Sequence, residues 1–426
     1  MAYNKTEHLR RNIEAIRTAF ALEREQRAAT PEERDVLRAY SGFGAIKEVL
    51  EPLPHKKETA LTPLIEELHA VLKENTGGER EYKRYLDGLK ASVLTAFYTP
   101  EPVTDAIMRM LYNAGVVPVR ALEPSAGTGA FAEYLRRYNE EAEITCFEKD
   151  PLTVLILHRL HPDDTVRVQG FETIEPAYEG HFDLITSNIP FGDVSLFDPA
   201  FSSSRDPVRR QGAWAIHNYF FMKSVDLVRD GGLVAFITSQ GVADAERNRP
   251  VREWLMERCD LVAAVRLPNN LFTDHAGTEV GSDLIVLQKN SAARPLSERQ
   301  RDFIETRTLS NGITVNNSFQ SLDRVVQTSA RVGTNPYGKP AMEFTHAGGV
   351  EGIARALADM LAEDMERHFN RELYESHAPK TAPRQYREWQ TETVSPRQAH
   401  DDIGQARNTE LSLIHISEPT RPISIS

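Results

Sequence analysis

The chain has 426 residues, 50 Lys plus Arg against 62 Asp plus Glu for a net charge of −12, 40% apolar residues and two cysteines. At roughly 150 residues per domain this is enough for about two or three domains and at least one full core, which excludes a mini-protein that needs staples. Cys146 and Cys259 stand apart, with no CxxC pair and no HExxH, so no disulfide framework and no metal site can be written; a reducing, cytoplasmic compartment is expected.

The charged N-terminus and the lack of a run of about 18 apolar residues argue against a secretion signal or a membrane span. The acidity is uneven: residues 121–180 hold five basic and twelve acidic side chains, whereas 181–360 hold 19 and 21. A local basic surface for nucleic acid is therefore compatible with the net charge.

From Lys5 to about Leu50, Leu9, Ile13, Ile16 and Phe20 recur at helical spacing, and Thr30-Pro31-Glu32-Glu33 reads as a cap with Pro at the first helical position. A helical N-terminal region, 1–95, is predicted, interrupted by a Tyr40-Ser41-Gly42-Phe43-Gly44 turn. Val117 to Glu123 reads as a strand that ends in Pro124-Ser125-Ala126-Gly127-Thr128-Gly129 and passes into helical text. Further strands are predicted at 144–148, 182–187 and 233–238, alternating with helices at 152–160 and 216–228. Such alternation implies a doubly wound, mainly parallel sheet.

Two more strands, 261–266 and 283–288, flank the polar loop LPNNLFTDHAGTEVGS and permit an antiparallel pair at the sheet's end. The segment 291–376 reads as a polar extension with one amphipathic helix that joins Ile353, Leu357, Met360 and Leu361 on one face, packed on the main domain or linking to another. Residues 377–426 read as a disordered tail, and 411–426 change character so abruptly that they read as non-native.

Two motifs carry chemistry. Backbone N–H groups in a glycine turn that opens a helix approach a ligand closely, and an acidic residue at the next strand's end, Glu148, suits ribose hydroxyls. GTGAFA with Glu148 19 residues beyond Gly129 also fits a nicotinamide dinucleotide site. Glu123 does nothing for a pyrophosphate, but can pair with the cationic amino group of a methionine-type ligand. The second motif is Asn188-Ile189-Pro190-Phe191 at the end of the 182–187 strand. It sets an amide, a stiffened backbone and an aromatic ring at the sheet edge where α/β proteins bind ligands.

Together with Phe97-Tyr98-Thr99-Pro100, Gly170-Phe171-Glu172, Gly231-Gly232-Leu233 and Gly277-Thr278-Glu279, these motifs resemble S-adenosylmethionine-dependent N6-adenine DNA methyltransferases over roughly residues 90–290. Within that family the chain is most similar to the methylase portions of mobile-element methylase-helicase proteins. The resemblance implies a Rossmann-like class I methyltransferase domain over 96–290 with an antiparallel end strand. It implies S-adenosylmethionine as cofactor, no metal, DNA as substrate and a helicase domain or subunit as a further partner.

Site roles follow from the same resemblance. Glu148 would hold the cofactor ribose, Glu123, Pro124, Ala126, Gly127 and Gly129 would line its methionine portion, and Phe171 and Glu172 would border its adenine, Phe171 reading equally well as a core residue. Tyr98 and Thr99 would close the site. Asn188 and the Ile189 carbonyl would accept from the target N6 amine, Pro190 would stiffen the turn, and Phe191 would stack on the flipped base. Arg205, Arg209 and Arg210, in the polar loop that follows, are candidates for phosphate contacts. The family's tetrad usually has Pro where Ile189 stands. Protein glutamine methylation and a catalytically weak antirestriction role are the competing functions.

Overall fold

The computed structural model describes residues 4–379 apart from 45, 52–57, 96–97, 193, 274–278, 335–337 and 339. The tail from 380 onward, together with Phe97, Gly277 and Thr278 of the motifs above, lies outside the described residues.

The central element is a seven-stranded sheet: β1 (Arg120–Glu123), β2 (Glu143–Glu148), β3 (Thr165–Val168), β4 (Phe182–Asn188), β5 (Val228–Ser239), β6 (Cys259–Leu267) and β7 (Ser282–Lys289), in the order β3-β2-β1-β4-β5-β7-β6. Pairs from β3 to β5 are parallel, and β7 runs antiparallel to both β5 and β6, one place in from the edge. This is the doubly wound, mainly parallel arrangement that the motif order implied.

Both sheet faces are buried, which is why the strands read as near-continuous apolar runs. Leu233, Ala235 and Ile237 of β5 face one core while Val234 and Phe236 face the other; β7 divides Leu284 and Val286 from Ile285 and Leu287 in the same way. The first core is closed by helices Glu101–Asn113, Ala130–Tyr138 and Gly349–His368, the second by Ile216–Leu227 and Arg249–Arg258.

Several boundaries moved for identifiable reasons. The strand predicted from Val117 begins at Arg120, because Pro118 has no N–H and the Val119 and Arg120 N–H groups donate to Asp183 Oδ2 at 2.9 and 2.8 Å. Strand β3 was not predicted: its four residues are exposed or half-buried and show no alternation. The extension beyond 290 holds more order than its polar text suggests, with a helix at Glu298–Ile304 and two hairpins, Thr306–Thr308 with Thr314–Asn316 and Ser329–Thr334 with Pro340–Thr345. Its Gly349–His368 helix inserts Ile353, Leu357 and Leu361 into the first core, the packed alternative of the two that the sequence allowed.

The N-terminal helices, Lys5–Glu25, Pro31–Arg38, Thr62–Glu74 and Glu79–Thr95, share a third core with Leu152, Ile156 and Leu160 of the Pro151–Leu160 helix. The predicted cap at Thr30 is present as a full capping box with Pro31 at the first helical position. Buried Asn12 holds the Tyr40–Gly44 turn from both sides, its Nδ2 donating to the Gly42 carbonyl at 2.5 Å and its Oδ1 accepting from the Ser41 N–H at 3.0 Å.

Candidate active site

Strand order reverses direction on either side of β1, and the crevice beyond its carboxyl end is where such sheets take ligands. The glycine loop occupies that place. Ala126 N–H donates to the Phe147 carbonyl of β2 (2.9 Å), and Ser187 Oγ of β4 donates to the Ser125 carbonyl (3.0 Å), so the loop is tied to the strands on both sides.

Gly127 and Gly129 hold φ of +56° and +83°, which side chains rarely adopt. A Cβ on Gly127 would lie 2.8 Å from Cε1 of Tyr98, and one on Gly129 would lie 2.4 Å from Nε2 of His161. The loop is thus packed under two rings, and glycine is required for contact as well as for dihedrals. His161 Nε2 also lies 3.1 Å from the Thr128 carbonyl, a brace the sequence reading missed.

Glu148 stands at the end of β2. Its Oε1 accepts from the Lys149 and Asp150 N–H groups (2.7 and 2.8 Å), and its Oε2 accepts from Gly127 N–H (2.9 Å). Burial outweighs these donors and, aided by the charge of Asp150, pushes its carboxyl up to about 7. Asp150, raised by burial, caps the Pro151–Leu160 helix at Leu152 and Thr153. The Asp-Pro pair was a helix-start signal available in the sequence.

Glu123, expected beside the cationic amino group of the cofactor, has its oxygens accepting from Phe131 and Ala132 N–H (3.4 and 2.9 Å), so the carboxyl caps the first turn of the Ala130–Tyr138 helix. Burial drives its carboxyl well above the usual range. Pro124 and Ala126 lie in the loop between, Ala126 buried.

On the N-terminal side, Tyr98 meets Tyr40 edge-on at 6.3 Å. Thr99 is buried, and its Oγ1 has no hydrogen-bond partner among the described residues. A buried hydroxyl without a partner, in the residue next to the Tyr98 ring that packs on Gly127, fits a small polar ligand seated there. Phe171 turns out to be core: it is 2% exposed and packs on Phe220 (4.9 Å), Tyr219 (6.2 Å) and Phe147 (6.3 Å). Glu172 is half-buried, with its carboxylate folded over Gly170.

The tetrad continues β4. Asn188 pairs with Ile237 as the strand's last residue and is half-buried. Ile189 N–H then donates to the Ile237 carbonyl at 3.0 Å, extending the ladder by one bond that proline could not make, and its side chain is buried in the second core. The departure from Pro thus adds one ladder bond. Pro190 and Phe191 are half-buried, and the Phe191 ring meets the buried Phe272 edge-on at 6.1 Å.

Of the three arginines, Arg209 is engaged internally, bidentate to Asp226 (2.9 and 2.7 Å) and over the Phe201 ring at 4.3 Å. It sits with Arg210 on a short helix, Pro207–Gly212, rather than in a loop, while Arg205 and Arg210 are exposed. Among the described residues no group of three or more His, Cys, Asp or Glu side chains could hold a metal ion, and no helix is long and apolar enough to cross a membrane.

Sheet order, glycine loop and acidic strand end together define a class I, Rossmann-like methyltransferase. Residues 88–332, more than half of the chain, match the family model described as N-6 DNA Methylase, and the chain belongs to that family, whose cofactor is S-adenosylmethionine. It is similar to the Defense against restriction protein B of Escherichia phage P1, 26% identical over 209 residues that cover 48% of this chain and 9% of that protein. It is also similar to the Type II methyltransferase M.XamI of Xanthomonas campestris pv. amaranthicola, 26% identical over 239 residues, 53% of this chain and 44% of that protein. The alignments thus span less than half the length of either relative. Among solved structures, the type IIG restriction endonuclease BpuSI aligns with a TM-score of 0.39 at 16% identity, covering 80% of this chain and 42% of that one.

Proposed function

We propose that the chain transfers the methyl group of S-adenosylmethionine to the N6 amine of an adenine flipped out of DNA. The observation that carries this reading is the joining of the two motifs: Ser187, next to Asn188, donates to the Ser125 carbonyl, so the tetrad and the glycine loop meet across one crevice.

Glu148 would accept the ribose hydroxyls, and the Ala126–Gly129 backbone would pass beneath the methionine portion, with Tyr98 and the Thr99 hydroxyl closing over it. S-adenosylmethionine supplies an electrophilic methyl on a sulfonium. The N6 amine is a poor nucleophile because its lone pair is delocalised. Acceptors on both of its N–H bonds, the Asn188 side-chain oxygen and the Ile189 carbonyl, would favour the pyramidal form and stabilise the positive charge that develops on N6. Stacking on Phe191, roughly 1–3 kcal/mol per base, would offset the few kcal/mol of extrusion. Arg205 and Arg210 remain for phosphate contacts, and a helicase domain or subunit is a further proposed partner.

The test incubates the chain with S-adenosylmethionine and unmethylated DNA and quantifies N6-methyladenine by mass spectrometry. Product that disappears in Asn188→Ala is expected; no product despite cofactor binding would refute the reading. The second reading, a catalytically weak antirestriction protein of a mobile element, draws on Ile189 and on the name of the phage relative, and it predicts DNA binding without product.

A further inference from the structure

The stretch between the tetrad and the Ile216–Leu227 helix carries an exposed apolar cluster. Trp214 is 68% exposed, Phe197 58% and Val194 40%, the first two being the most exposed large apolar side chains among the described residues. Leu196 N–H donates to the Ala213 carbonyl at 2.9 Å, so Phe197 and Trp214 flank one backbone pairing and belong to one surface.

Residues 198–211 of the stretch are anchored to the fold. Buried Asp198 accepts from Tyr219 Oη (2.6 Å) and Lys223 Nζ (3.2 Å), Asp206 accepts from Trp254 Nε1 (3.1 Å), and Arg209 pairs with Asp226. Asp198 and Asp206 are therefore consumed inside the fold, whereas Arg205 and Arg210 are exposed. Gln211 Nε2 donates to the Arg247 carbonyl at 3.0 Å and brings a further exposed arginine alongside.

Exposed apolar rings on a rigid support mark an interaction surface, and the chemistry of its rim selects the partner. Flat rings beside exposed guanidiniums complement unstacked bases and the phosphates that follow them. The reach is also right: Phe197 follows Phe191 by six residues, so at ~3.3–3.6 Å per residue it lies within about 20 Å, roughly six base steps.

We propose that Trp214 and Phe197 form a base-stacking platform for the DNA that flanks the target adenine, with Arg205 and Arg210 on its phosphates. The proposal deepens the function above and rests on DNA as substrate.

The chain's tryptophans are Trp214, Trp254 and Trp389, and Trp254 is buried, so the emission lost in Trp214→Phe reports the platform. The full chain, Trp214→Phe and Trp214→Ala are titrated with a short unmethylated single strand, whose base faces are free, and with its duplex, followed by tryptophan quenching and by anisotropy of labelled DNA. S-adenosylmethionine binding is measured on the same samples by calorimetry. DNA should quench the Trp214 component, Trp214→Ala should bind DNA roughly tenfold more weakly, and Trp214→Phe should stay within about threefold, with cofactor affinity equal in all three. Arg205→Ala and Arg210→Ala should each lower the salt slope of binding by about one.

Unchanged DNA affinity in Trp214→Ala overturns the platform while leaving methyl transfer standing. A dimer that Trp214→Ala converts to monomer without loss of DNA affinity overturns it in favour of a protein interface. Failure of the wild-type chain to bind S-adenosylmethionine overturns the function above, independently of the quenching result.

Discussion

Glu148→Gln separates the electrostatic part of the cofactor crevice from its hydrogen bonds. The carboxyl sits at about 7 in the fold against an ordinary 4.5, so the folded chain holds this proton more tightly than the unfolded chain does. The stabilisation is complete below pH 4.5 and is lost as pH rises through 7. With each tenfold change worth about 1.4 kcal/mol, the full effect is about 3 kcal/mol. Glutamine has no such proton. Its amide can still accept from Lys149 and Asp150 N–H, but its NH2 would face the Gly127 N–H, a loss of about 1–3 kcal/mol that does not vary with pH. That penalty drops out when slopes are compared.

Unfolding in denaturant, measured for both proteins without cofactor at steps from pH 4.5 to about 8, should show the stability of wild type relative to the variant falling by about 3 kcal/mol. Parallel profiles would refute the assignment of burial as the dominant cause. In the proposed site, ribose hydroxyls donate to the ionised form, so S-adenosylmethionine should bind wild type more tightly as pH rises through 7 and bind Glu148→Gln without that trend.

Three further outcomes are expected. Ile189→Pro, which restores the family's usual tetrad, removes the N–H bonded to Ile237 and a buried side chain, and should cost about 2–4 kcal/mol in denaturant unfolding; a stabilised variant would show that the ladder bond is dispensable. Gly129→Ala forces a left-handed alanine against His161 and Leu157, a penalty of at least about 1–2 kcal/mol, and calorimetry should show weakened S-adenosylmethionine binding; wild-type affinity would contradict the close packing of the loop. Asn12→Ala leaves the Gly42 carbonyl and Ser41 N–H without their buried partner, and thermal unfolding should drop by the equivalent of about 2–4 kcal/mol; an unchanged midpoint would mean that water replaces the clamp.

What the sequence determined by itself is local. The glycine loop between strand and helix, the Thr30 cap and the alternation of apolar strands with helices are each written in a few neighbouring residues, because left-handed glycines, N-caps and runs buried on both faces need particular residue types. The order of those motifs was sufficient to reach the class of fold and the family. What only the tertiary structure decided is the direction in which each polar group points. Glu123 turns back on its own helix, Arg209 is captured by Asp226, Phe171 enters an aromatic core and Ile189 completes a ladder with Ile237, 48 positions away. The docking of the Gly349–His368 helix and the bracing of Thr128 by His161 belong with them. A carboxylate or guanidinium has several partners it could satisfy, and residue type leaves the choice open; the choice is made by which strands and helices the packed cores bring within hydrogen-bonding distance.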